Sequence, residues 1–212
     1  DLRPKFHFYN ANIAVVSGIA WDHINVFPTF DNYVEQFRLF LKTIQPGGTI
    51  VYSAEDETLK AVVEGSDQII ERIPYYTPEY VVENGITSLV TDIGPVALSV
   101  FGKHNLLNLT AAREVCQKLG IESKDFYTAI TSFKGASKRL ELLGKNADTV
   151  IFKDFAHSPS KLSATIEAVK NQFPEKKLTA VIELHTFSSL NKDFLKEYKG
   201  TMNGADESIV FI

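Results

Sequence analysis

Cysteine occurs once in the 212 residues, at position 116, methionine once, at 202, and tryptophan once, at 21. A single thiol permits no internal disulfide, so a reducing compartment, the cytoplasm, is the expected home. Long apolar runs are missing as well: no stretch reaches the ~18 residues needed to cross a bilayer, and no membrane partner is expected. Basic charge is in short supply. Lys plus Arg number 22 against 26 Asp plus Glu, a net charge of −4, whereas an obligate nucleic-acid binder carries a basic face, so no nucleic acid is expected either. Neither of the glycine-rich phosphate cradles, G-x-x-x-x-G-K-[ST] or G-x-G-x-x-G, occurs anywhere in the chain. Pro46-Gly-Gly-Thr lacks the lysine and reads as a turn.

What is present belongs to a globular protein. Hydrophobic residues make up 44% and charged residues 23%, near the averages for folded domains, which excludes disordered, collagenous and coiled-coil classes. The length suits one large domain or two small ones with a sizeable core. Asp stands first, the methionine is internal, and the last residues form the apolar run Ser208-Ile-Val-Phe-Ile212. These ends give the expectation of a fragment, with a further N-terminal part of the same chain before Asp1.

Apolar periodicity sets out the elements. Residues 12–17 form a short apolar run closed by Gly18, the pattern of a buried strand. From 31 to 42, Tyr33, Val34, Phe37, Phe40 and Leu41 recur at helical spacing. Strand 49–53, helix 56–63 and strand 68–73 continue the alternation, which calls for a mostly parallel sheet. The pattern changes after Pro74. Strands at 75–82, 87–91 and 96–101, separated by Asn84-Gly and Gly94-Pro, predict an antiparallel patch. Helices at 104–119 and 123–133 follow, and Lys134-Gly-Ala-Ser-Lys138 reads as a linker. Beyond it come strands 139–143 and 149–154, a helix from Pro159 to about 173 with Ser158 as its cap, strand 178–184, a helix over 191–198 and a strand from 208. The fold expected is α/β, with a second α/β unit from about Ser137.

Chemistry-bearing residues gather at element boundaries. His23, His157 and His185 each follow a strand, where ligands bind in open α/β sheets. Asp22 and His23 either share a hard cation and its waters, or serve a turn cap and packing. Asn105 and Asn108 are three apart at a helix start, so both amides face one way. Such a pair suits a purine edge or phosphate ester, and Gly102 before it allows close approach to a helix N-terminus; the alternative is an ordinary cap with a turn glycine. Arg139, just past the linker, is either a fork for phosphate oxygens or a solvated strand start. Asp154, at a strand end three residues before His157, suits a ribose diol or a helix cap.

In order along the chain, Gly18-Ile-Ala-Trp-Asp-His23, Gly102-Lys-His-Asn-Leu-Leu-Asn108-Leu-Thr-Ala-Ala112, Phe133-Lys-Gly-Ala-Ser-Lys-Arg139-Leu-Glu and Lys153-Asp-Phe-Ala-His157-Ser-Pro resemble the Mur ligases, ATP-dependent amide-forming enzymes of peptidoglycan assembly. The resemblance implies that residues 1–136 are the later part of a P-loop-type central ATPase domain carrying the antiparallel patch, and that 137–212 begin a Rossmann-like C-terminal domain, here incomplete. It implies ATP and Mg2+ as cofactors, with His23 on the metal, Asn105 and Asn108 on ATP, Arg139 on its phosphates across the linker, and Asp154 on the ribose with His157 nearby. Arg139 and His157 are the catalytic candidates. His185 falls where the alanine-adding branch binds its amino acid.

Both branches that fit use UDP-N-acetylmuramate as the carboxylate partner, with L-alanine or the murein tripeptide L-Ala-γ-D-Glu-meso-diaminopimelate as the amine. Several Mur ligases carry a carbamylated lysine after the metal histidine; Phe37 stands there, as in these two branches. The opening Asp1-Leu-Arg-Pro-Lys-Phe-His-Phe-Tyr9 is similar to the tripeptide ligase, and Leu184-His185-Thr-Phe to the alanine-adding enzyme, without the arginines that normally follow. The resemblance further implies an acyl-phosphate mechanism in a longer parent chain, the 212 residues alone being inactive. Two other readings stand beside it: a folylpolyglutamate-synthetase-like ligase, and a non-catalytic binding module.

Overall fold

The computed structural model describes residues 4–212. The first three residues of the opening segment therefore lie outside the described part. The chain divides into two compact units, one made of the residues up to Pro78 with Leu107–Phe126, the other of Glu79–Leu106 with Tyr127–Ile212.

The first unit is built on a parallel sheet in the order β1–β2–β3, with β1 at Ile13–Val16, β2 at Thr49–Ser53 and β3 at Glu71–Tyr75. The register runs Ile13 with Thr49 and Thr49 with Glu71. Every residue of the central β2 is buried, as a strand covered on both faces requires. Its side chains divide by alternation. Ile50 and Tyr52 join Ala14 and Val16 against helices α1 (Phe30–Leu41) and α2 (Glu57–Glu64). Val51 and Ile13 face the other way, with Ala111, Leu107 and Val115 of helix α3 (Lys103–Lys118). Thr29 caps α1, its hydroxyl accepting from the Asn32 amide, and Asp56 caps α2 through the Leu59 amide.

Pro74 separates expectation from structure here. The sequence places a break at Pro74 and a strand from 75, but β3 runs through Pro74 to Tyr75 and the next strand starts only at Tyr80. A proline cannot donate to a ladder, and β3 is the edge strand of its sheet, where that loss is tolerated. The break falls instead at Pro78.

The second unit holds the antiparallel patch, β4 (Tyr80–Glu83), β5 (Ile86–Leu89) and β6 (Val96–Leu98), in sequence order. Asn84 and Gly85, with φ of 52° and 73°, make the two-residue turn between β4 and β5. Helix α4 (Ser123–Ile130) follows α3 in the chain, and then β7 (Glu141–Lys145) runs antiparallel to β8 (Val150–Lys153), with a bulge between Leu142 and Gly144. Helix α5 (Pro159–Gln172) leads to β9 (Thr179–Glu183), which pairs in parallel with β10 (Glu207–Phe211). Buried Gln172 ties the patch to α5: its carbonyl accepts from the Thr87 hydroxyl at 2.7 Å and its amide donates to the Gly85 carbonyl at 2.8 Å. Phe101, Leu140 and Ala168 form a core with Phe152 and Phe173, and Leu162, Ile166, Ile182 and Leu184 form another.

Two local expectations change. The span 191–198 gives only a 3-10 turn, Phe194–Tyr198, because the Asn191 carboxamide accepts from the Asp193 and Phe194 amides and occupies the first turn. Ser158 holds the N-cap position of α5, yet its hydroxyl makes no capping bond and is buried without a partner.

Candidate nucleotide site

In the first unit, the segment after β1 is tied at both ends. One Asp56 carboxylate oxygen accepts from the Ile19 amide at 2.6 Å while the other caps α2. Further on, the Val26 and Phe27 amides both donate to the His23 carbonyl, and the Trp21 indole donates to the Phe27 carbonyl. His23 itself has φ of 57°, in the left-handed region that costs an L-residue about 1–2 kcal/mol. Its imidazole is 63% exposed and 3.9 Å from the buried Asp22 carboxylate, which also accepts from the His23 amide at 2.7 Å. Burial, then the Asp22 charge, raises the pKa of neighbouring Tyr33 above the ordinary tyrosine value. No group of three His, Cys, Asp or Glu side chains converges on one point among the described residues. Magnesium needs no such cage, because it keeps several waters and takes one or two protein ligands beside substrate phosphates. An exposed His23 backed by Asp22 fits that partial role and no fuller one.

In the second unit the site forms around the start of α3 and the end of β8. The Asn105 and Leu106 amides donate to the Gly102 carbonyl, and the Asn105 side-chain amide to Phe101 at 2.9 Å. That leaves the Asn105 carbonyl oxygen as its free function. Asn108, one turn on in α3, is exposed and belongs to the first unit. Asp154 follows β8, half-buried; its Oδ2 accepts from the Leu140 amide at 2.7 Å. Arg139 is exposed, its guanidinium carbon 6.0 Å from the centre of the Phe155 ring. The charges of both Arg139 and Asp154 reach His104, whose pKa is lowered from the ordinary histidine value mainly by burial, with Asp154 opposing and Arg139 adding.

His104 is the residue the sequence reading left outside the site. It stands in the Gly102-Lys-His-Asn stretch, but as a helix-opening histidine it carried no separate signal. Its Nδ1 is buried without a partner, and a buried polar atom left unpaired is where a ligand or water belongs. His157 Nδ1 lies 2.9 Å from the Phe155 carbonyl, and its own carbonyl accepts from the Tyr198 hydroxyl. His185 is exposed after β9. It lines, with Asp154, His157 and Lys138, a cavity of about 1180 Å3 walled by β8, β9 and α5. The structure thus brings Asn105, Arg139 and Asp154 together about His104, and sets His157 and His185 on a shared cavity.

The linker expected at 134–138 has an unusual backbone. Lys138 and Leu140 both take positive φ, 56° and 46°, on either side of Arg139. This is why β7 begins at Glu141 and not at 139 as the apolar pattern predicts: a strand cannot run through two left-handed residues.

The first unit's parallel sheet carries helices on both faces, which makes this an α/β protein of the open-sheet class, in which ligands bind beyond the carboxyl ends of the strands. Comparison with known proteins narrows this. Residues 5–116, more than half of the chain, match the Mur ligase middle domain. The chain belongs to the Mur ligase family. It is 30% identical to the UDP-N-acetylmuramate–L-alanine ligase of Desulfitobacterium hafniense over 99% of this chain and 49% of the relative. For the enzyme of the same description from Caldicellulosiruptor bescii the values are 31%, 97% and 48%. Among solved structures, a MurF ligase from Thermotoga maritima in complex with ADP superimposes with a TM-score of 0.76 at 21% identity, covering 94% of this chain and 48% of that one. The UDP-N-acetylmuramate–alanine ligase of Thermotoga maritima gives 0.69 at 18% identity, over 96% and 46%. These likenesses establish the α/β fold. The chain spans about half the length of the curated relatives it matches. No helix among the described residues is long and apolar enough to cross a membrane.

Proposed function

We propose that residues 1–136 are the later part of the central ATPase domain, and 137–212 the start of the Rossmann-like C-terminal domain, of a cytoplasmic ligase. That enzyme joins the carboxylate of UDP-N-acetylmuramate to an amine with ATP and Mg2+. One observation carries the reading: nearly the whole chain aligns with proteins described as UDP-N-acetylmuramate–L-alanine ligases. L-alanine is accordingly the favoured amine and the murein tripeptide the competing one.

In this reading the muramyl carboxylate becomes an acyl phosphate and is then attacked by the amine. The protein's part is positioning and charge neutralisation, so no activated nucleophile is required. The Arg139 guanidinium serves phosphate oxygens, a role its bidentate fork suits. Asp154 accepts from the ribose hydroxyls with the oxygen that Leu140 does not use, and Asn105 and Asn108 orient the purine end. His157 stands near Asp154 and the ribose as the second catalytic candidate, and His185 takes part in holding the incoming amine. His23 supplies one imidazole to magnesium, whose chemistry would be neutralisation of phosphate charge.

The test is phosphate release by the complete polypeptide, with UDP-N-acetylmuramate, ATP, Mg2+ and either L-alanine or L-Ala-γ-D-Glu-meso-diaminopimelate. Release that requires both the muramyl substrate and L-alanine is expected. Release with the tripeptide alone would move the protein to the other branch, and none with either would sink the ligase reading.

A further inference from the structure

Asp154 has two oxygens, and the fold uses only one of them. We propose that Asp154 is a positioning residue for Arg139, acting through the backbone of residues 138–140, in addition to any contact with nucleotide; the proposal rests on the nucleotide-site reading above.

Arg139 sits between two left-handed residues, Lys138 and Leu140. Leucine has no short polar side chain to make that conformation comfortable, so the surroundings must impose it. The bonds that impose it come from the end of β8 and from Glu141. The Leu140 amide donates to Asp154 Oδ2 at 2.7 Å, and the Phe155 amide donates to the Lys138 carbonyl at 2.9 Å. The Lys138 amide donates to a Glu141 carboxylate oxygen at 2.7 Å, and the Arg139 amide to the Ala136 carbonyl at 3.1 Å. The Leu140 side chain is 8% exposed and packs with Phe101, Phe152 and Ala168, which pins one end of the bracket. Asp154 closes the other. Its remaining oxygen has no protein partner among the described residues, so the carboxylate can hold the linker and meet a ligand at once.

The consequence is that the end of β8 sets where the guanidinium stands. Without the carboxylate, the Leu140 amide loses its acceptor and residue 140 relaxes toward ordinary backbone. Arg139, its direct neighbour, then turns away from Phe155. A merely ribose-binding aspartate predicts none of this.

The two roles separate with a nucleotide that has no ribose hydroxyls to offer. The complete polypeptide is assayed with ATP and with 2′,3′-dideoxy-ATP, as wild type, D154A, D154N, R139A and D154A/R139A. Leu140 amide exchange is followed in the same proteins. If the clasp operates, D154A still loses about tenfold in kcat/KM with dideoxy-ATP, a size within reach of coupled neighbours. D154N, which keeps an acceptor for the Leu140 amide, recovers most of that loss. In the R139A background D154A costs nothing further. The Leu140 amide exchanges at least ~10-fold faster in D154A and not in D154N, local opening being what exchange reads. Wild-type turnover of dideoxy-ATP by D154A where R139A is impaired, independent multiplication of the two losses, or unchanged Leu140 exchange would each overturn the proposal. Faster exchange in D154A, with nucleotide use indifferent to both D154A and R139A, would keep the clasp and remove the nucleotide reading instead.

Discussion

Gly102 precedes α3 at φ of 87°, and a Cβ added there would stand 2.5 Å from the Ala168 Cβ and 3.3 Å from His104 Cε1. Ala168 is 4% exposed within the Phe101–Leu140 core, so the nearer partner has no room to give. Three contributions set the cost of Gly102→Ala. Overpacking in a closed core costs about 1–3 kcal/mol. A left-handed L-residue adds about 1–2 kcal/mol. Reduced freedom of the unfolded chain returns about 0.4–1 kcal/mol. The net loss is about 3 kcal/mol, and with a urea slope near 3 kcal/mol/M the midpoint falls by about 1 M. Far-UV circular dichroism in urea measures it. The contributions separate in a double-mutant cycle, because Ala168→Gly removes the clash and leaves the backbone strain. The pair should couple by about 1–3 kcal/mol, with Gly102→Ala still costing about 1 kcal/mol in the Ala168→Gly background. A Gly102→Ala midpoint within about 0.2 M of wild type, or additivity in the cycle, would refute the packing argument.

Burial favours the neutral imidazole of His104, so the unfolded chain takes up its proton more readily than the folded one. Its stabilising contribution is complete above the ordinary histidine pKa of about 6.5 and is lost as pH falls through the lower folded value; thermal unfolding between pH 7.5 and 5 should show a decline that His104→Leu flattens. Removing Gln172 strands the Thr87 hydroxyl and the Gly85 carbonyl together, and Gln172→Ala should cost about 1–3 kcal/mol in urea unfolding, partly recovered in Gln172→Leu with Thr87→Val. At Asp56 the cap and the tether separate: Asp56→Ser keeps an oxygen for the Leu59 amide and should spare most of the ~1 kcal/mol that Asp56→Ala loses, while both variants speed hydrogen exchange at Ile19.

In the first unit β1 and β2 were legible because each is a short apolar run between turn residues, whereas β3, the mixed stretch Glu-Arg-Ile-Pro-Tyr, was expected at 68–73 and lies at Glu71–Tyr75. The antiparallel patch was legible for the same kind of reason, since Asn84-Gly leaves a hairpin few alternatives. Where reading by pattern faltered, a single nearby group overrode periodicity. Pro74 is tolerated only because β3 is an edge; Asn191 spends its side chain on the amides a longer helix would use; Lys138 and Leu140 delay β7 by two residues. The motif stretches singled out Asn105, Asp154, His157 and Arg139 as candidates, but not what each one touches. His104 opens a helix without further sequence signal, and burial, not residue type, makes its unpaired nitrogen informative. The Leu140 bond to Asp154 joins residues 14 apart in sequence, and no local pattern records it.

Backbone strain gives a view of the site that owes nothing to motif. Four residues other than glycine have positive φ among those described: His23, Asn84, Lys138 and Leu140. Asn84 is explained by its turn, for asparagine before glycine is the ordinary content of a two-residue hairpin. The other three have no such excuse. Histidine, lysine and leucine each pay about 1–2 kcal/mol to stay there, and such strain persists only where surrounding bonds over-determine it. At His23 those bonds come from Val26, Phe27 and Trp21; at Lys138 and Leu140 they come from Phe155, Glu141 and Asp154. Each bracket leaves an exposed side chain on it, the His23 imidazole in one unit and the Arg139 guanidinium in the other. A sequence selected for stability alone would place glycine or asparagine at these positions. At 23 and around 139 the surrounding bonds fix the backbone, and with it the direction in which the side chain leaves the chain.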